Sequence, residues 1–62
     1  MKITAILANG KELYFDTGAS VGELEQAVAN RATLKCEKYT GQTVLLNLSM
    51  VAAVMYFEEE QR

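Results

Sequence analysis

The sequence predicts one small α+β domain over residues 1–62, in the order β-β-α-β-β-β, with a mainly antiparallel sheet and one short helix packed on one face. Three observations predict it. Apolar and polar residues alternate with period two in short runs toward both ends of the chain. Asn9-Gly10 separates the first two runs where a hairpin turn belongs. Between the outer runs, Ser20-Val21-Gly22-Glu23 has the spacing of a capping box, in which a serine and a glutamate satisfy each other's bare backbone amides at a helix start.

The first run, Met1 to Ala8, sets Met1, Ile3, Ala5 and Leu7 against Lys2, Thr4, Ile6 and Ala8. Asn9-Gly10 then supplies a pair able to take the positive φ values of a two-residue type I′ turn. Lys11 to Asp16 returns with Leu13 and Phe15 on one side and Glu12, Tyr14 and Asp16 on the other. Thr17-Gly18-Ala19-Ser20 breaks this strand, and a helix starts at Val21. Val21, Leu24, Ala27 and Val28 form its apolar face, Glu23 and Gln26 point away, and Asn30 is where it ends. About ten residues of helix are marginal alone, so this one must lean on the sheet.

Alternation resumes from Ala32 to Tyr39, with Ala32, Leu34 and Cys36 facing inward, and Thr40-Gly41-Gln42 forms the next turn. Thr43 to Leu48 turns Val44, Leu46 and Leu48 inward and leaves Leu45 as an apolar residue on the outer side, before a reversal at Asn47-Leu48-Ser49. Met50 to Phe57 fits either period. As a strand it places Val51, Ala53, Met55 and Phe57 inward against Ala52, Val54 and Tyr56; as a helix it joins Val51, Val54 and Met55 behind a Ser49 cap. Glu58-Glu59-Glu60 would oppose the dipole at a helix C-terminus, which favours the strand.

Composition narrows the function classes. Half of the residues are hydrophobic, too many for a disordered tail. Six Lys plus Arg against eight Asp plus Glu give a net charge of −2, opposite to the basic footprint of a nucleic-acid binder. Histidine, tryptophan and proline are absent, and without histidine the commonest general base and metal ligand are missing. No metal and no cofactor are expected, and catalysis is the minority reading. The single cysteine, Cys36, cannot form an intramolecular disulfide, which points to a reducing cytoplasm. Its position beside Leu34 in the inward set reads as core. No apolar run reaches the ~20 residues of a membrane span, and the start lacks the apolar stretch of a signal peptide. Thr17 to Gly22 is glycine-containing and opens a helix, yet lacks the spacing and lysine of a phosphate loop.

The segment Val44-Leu45-Leu46-Asn47-Leu48-Ser49-Met50-Val51 resembles the strand-Asn-Leu-turn-Val unit that closes LytTR-type DNA-binding domains. That resemblance implies DNA binding, although the basic residues such domains use on DNA have no equivalents here. Leu7-Ala8-Asn9-Gly10-Lys11-Glu12 is similar to the opening hairpin of small FlbD-type motility proteins, and the rest of the chain departs from their pattern.

The second phase of the sheet carries the functional expectation. Ile6, Tyr14, Leu45, Val54 and Tyr56 fall opposite the inward set, while one short helix can cover a single face. A second copy of the chain is the simplest cover, because oligomerisation supplies burial that a small core lacks. The expected function is thus a non-catalytic protein-interaction or regulatory module that forms a homodimer or higher homo-oligomer, with room for another protein partner. The alternative is a nucleic-acid-associated regulatory protein, using sheet aromatics beside Lys11, Lys35 and Lys38.

Overall fold

A computed structural model describes residues 1–57; the Glu58 to Glu60 charge run lies outside the described residues. Strands β1 (Lys2–Leu7) and β2 (Glu12–Asp16) make the first hairpin, with Ile3 opposite Phe15 and Ala5 opposite Leu13. Its turn is not type I′. Gly10 N–H donates to the Leu7 carbonyl at 2.9 Å and Leu7 N–H to the Lys11 carbonyl at 2.9 Å, so the loop holds three residues, with Gly10 alone at positive φ (+85°). The longer loop lets Asn9 keep an ordinary φ, and its side-chain oxygen accepts from Lys11 N–H at 2.9 Å.

Helix α1 (Val21–Ala29) begins where the sequence places it, with both hydrogen bonds of the Ser20–Glu23 capping box formed. Asn30 is its C-cap, and the chain then turns through Arg31 at φ +52°. Arg31 N–H donates to the Val28 carbonyl and Ala32 N–H to the Ala27 carbonyl, the bond pair that closes a helix with a left-handed residue. Leu24 is buried and Val21 and Ala27 are half-buried, whereas Val28, expected inward, is 43% exposed. The buried stripe is therefore the narrow i, i+3, i+6 row.

Strands β3 (Thr33–Glu37) and β4 (Thr43–Asn47) form a second hairpin, with Leu34 opposite Leu46 and Cys36 opposite Val44. Its turn repeats the first: Gly41 N–H donates to Lys38, Lys38 N–H donates to Gln42, and Gly41 takes φ +89°. A single 3₁₀ turn, Leu48–Met50, leads into β5 (Val51–Tyr56), which settles the last element as strand. The Asn47 side chain holds that turn by accepting from Ser49 N–H at 3.1 Å and from the Ser49 hydroxyl at 2.7 Å.

The five strands run in the order β4-β3-β2-β1-β5, every pair antiparallel. This order forces curvature. In a flat sheet the outer strands would lie roughly 19 Å apart at about 4.8 Å per strand, while the stretch from Asn47 to Val51 reaches at most about 14 Å. The sheet must coil, bringing the end of β4 toward the start of β5. Ile3, Ala5, Phe15, Leu34, Cys36 and Leu46 fill the concave side, closed by Leu24 of α1 and by Leu48. The seam between the hairpins is thin, because β2 meets β3 in register only at Asp16 and Glu37.

Candidate functional site

Strand alternation places each expected interface residue on a definite face. Ile6 sits opposite Glu12 and Tyr14 opposite Thr4, both on the convex, helix-free side. Leu45, opposite Lys35, shares that side but stands on the second hairpin. Val54 and Tyr56 do not. Val54 pairs with Ala5 and Tyr56 with Ile3, so both face the core and pack half-buried against it. The phase expected for this strand is reversed, and Ala53 and Met55, expected inward, point outward.

The cause is a register shift. Leu7 pairs with Val51 and the preceding Ile6 pairs with Ala53, which leaves Ala52 as an extra residue. Val51 thus faces the core as the alternation predicts, and one inserted residue flips every side chain after it.

On the helix-free face of β2, β1 and β5 lies an open cleft of about 730 Å³. Its lining includes Lys2, Thr4, Tyr14, Asp16 and Met55, with Tyr39 of the second turn and Phe57 just past β5. Four core-side residues also border it, Ile3 and Phe15 buried and Val54 and Tyr56 half-buried, so the cleft opens on the opposite face and reaches the β5 edge, where these two expected residues meet it. Tyr14 is 69%, Tyr39 97%, Phe57 93% and Met55 50% exposed, an unusual concentration of bare apolar surface for so small a chain. Tyr39, Met55 and Phe57 were missing from the expected set. Tyr39 belongs to a turn and not a strand, and the other two follow the shifted register.

Polar groups within reach are few. The Tyr14 hydroxyl donates to a Glu12 carboxylate oxygen at 2.9 Å, and this hydrogen bond, helped by the negative charge of Glu12, raises the tyrosine pKa above its ordinary value. The Tyr14 hydroxyl is thus already engaged as a donor. Cys36 is 1% exposed with its thiol directed at the Leu34 carbonyl at 3.6 Å, and burial pushes its pKa up, away from the reactive thiolate. The amides at the start of α1 are occupied by the capping box, with Ser20 N–H donating to Glu23 at 3.0 Å and Glu23 N–H to Ser20 at 3.2 Å. An anion there would meet the Glu23 carboxylate. Among the described residues no helix is long and apolar enough to cross a membrane.

No family model matches the chain, and no curated protein is significantly similar to it.

Proposed function

We propose that this chain is a non-catalytic protein-interaction module that self-associates through the helix-free face of its sheet, centred on Tyr14. The observation that carries the reading is the cluster of exposed rings, Tyr14, Tyr39 and Phe57, around one open cleft. At about 150–250 Å² per buried aromatic side chain, these three offer roughly 400–650 Å². Met55 and Ile6 extend the patch toward the ~800 Å² that each partner contributes to a stable interface. Charges at its margin come in both signs, Lys2 directly across from Asp16, so a two-fold partner can set unlike charges together. The free, buried Cys36 fits a reducing cytoplasm as the working compartment.

Sedimentation velocity or light scattering across micromolar concentrations tests the reading. The expected outcome is a mass above the 6.9 kDa monomer that falls in Tyr14→Lys and falls less in Leu45→Lys, since Leu45 lies outside the cleft. A monomer throughout sinks it.

The exposed rings support a second reading, base stacking on a nucleic acid. Against it stand Glu12, Asp16 and Glu37 on the same face as Lys2 and Lys35. Fluorescence anisotropy with labelled single- and double-stranded oligonucleotides separates the two, because phosphate contacts lose affinity steeply with salt. No salt-sensitive binding is expected; micromolar binding that collapses on adding salt would promote the second reading.

A further inference from the structure

We propose that β5 pairs antiparallel with β5 of a second copy, joining two sheets edge to edge. This edge borders the cleft and shares Met55 and Phe57 with its exposed lining, but it pairs through the outward backbone groups of β5 and not through the Tyr14 face; it rests on the cleft reading only for the identity of the partner. The directions of the backbone groups come first. Thr17 N–H donates to Met1 and Leu7 N–H to Lys11, so odd-numbered residues of β1 bond toward β2 and even-numbered ones toward β5. With Thr4 opposite Met55 and Ile6 opposite Ala53, the backbone groups of Ala53 and Met55 are taken by β1. Those of Val54 and Tyr56 face away from the sheet.

β5 is an edge strand without the usual protections. Its six residues, VAAVMY, include no charge and no proline, and its one bulge lies at the other end, near Ala52. An antiparallel copy therefore brings no like charges together, and antiparallel self-pairing is two-fold symmetric, so it closes at the dimer. The other edge strand, β4, is also uncharged, but its core side is more nearly closed: Leu46 is 8% exposed, beneath the part of the sheet where α1 packs on β3, and Val44 alone is half-buried. At β5 the core side is left half-open at Val54 and Tyr56, and a second β5 would cover both. Tyr56 is already half-buried and Phe57 is 93% exposed, so with Val54 and Met55 this buries roughly 300–450 Å² per copy, scaling the about 150–250 Å² of an aromatic side chain by its exposure. The total of roughly 600–900 Å² is below the ~1,000 Å² of a stable interface and fits a weak pairing that forms as concentration rises.

Amide hydrogen exchange by NMR on the unmodified chain, from micromolar to millimolar concentration, reads the edge directly. Ala53 and Met55 amides are tied to β1 and stay protected throughout. The expected result is that Val54 and Tyr56 amides exchange fast in dilute solution and gain about tenfold protection or more as concentration rises. Intermolecular NOEs in a mixture of labelled and unlabelled protein should then link β5 to itself. Free exchange at Val54 and Tyr56 in a sample whose mass shows association overturns edge pairing and leaves the cleft reading intact. A monomer at every concentration overturns both. Protection that persists in Tyr14→Lys supports the edge and removes the cleft.

Discussion

The Thr17 hydroxyl donates to the Lys35 carbonyl at 3.0 Å, bridging the two hairpins beside the one register pair that β2 and β3 share. Thr17 is 5% exposed, and the same oxygen accepts from Ala19 N–H at 3.3 Å, so one buried side chain also sets the approach to α1. Its backbone N–H bonds the Met1 carbonyl at 2.9 Å, which anchors the bridge to β1. A coiled sheet needs strands to part somewhere along a seam. Here they part between the hairpins, and Thr17 holds the point where they meet.

Thr17→Val keeps the shape and removes both hydrogen bonds, leaving a partly buried carbonyl and amide without their partner. The expected cost is about 1–3 kcal/mol, read as a lower urea midpoint or melting temperature. Thr17→Ser keeps the hydroxyl and should lose less. Equal stability of the two variants would show that the bridge does not hold the seam.

The elements were legible because each rests on local chemistry: alternation for β1 to β4, glycine in both turns, and the Ser20–Glu23 box at the start of α1. The face of β5 was not legible. VAAVMYF carries apolar residues in both phases, so alternation cannot choose between them, and no glycine marks the bulge at Ala52. Ile6, Tyr14 and Leu45 were placed correctly on the outer side because their strands have one clearly apolar phase. That Tyr39 and Phe57 meet Tyr14 around one cleft depends on how the second turn and the chain beyond β5 come to the first hairpin, which periodicity does not encode.

Arg31 closes α1 at φ +52°, a conformation that costs a side-chain-bearing residue about 1–2 kcal/mol. Glycine is the usual occupant of this position. Arg31→Gly should therefore stabilise the fold by about 0.5–1 kcal/mol, after allowing for the greater freedom of glycine in the unfolded chain. Thermal melts should rise by several degrees for a domain of this size. Arg31→Val, β-branched at positive φ, should melt lower than the parent. A glycine variant no more stable than the valine variant would mean that the helix end relaxes out of this geometry.

Ser20 and Glu23 make a pH-dependent cap. Ser20→Ala should cost on the order of 1 kcal/mol and lower the melting temperature by several degrees. Glu23 accepts from the Ser20 backbone and then from its side chain, and both hold its carboxyl pKa below the ordinary glutamate value. A carboxyl whose folded pKa lies below its unfolded one stabilises the fold fully above the unfolded value, near 4.3, and loses that contribution as pH falls through the folded pKa. Glu23→Gln should accordingly flatten the loss of stability on the acid side while changing little at neutral pH beyond the cap itself. An NMR titration of the Glu23 side-chain carboxyl should show the lowered pKa in the parent and a return toward the ordinary value in Ser20→Ala. An unchanged pKa in that variant would mean that the serine side chain does not organise the box.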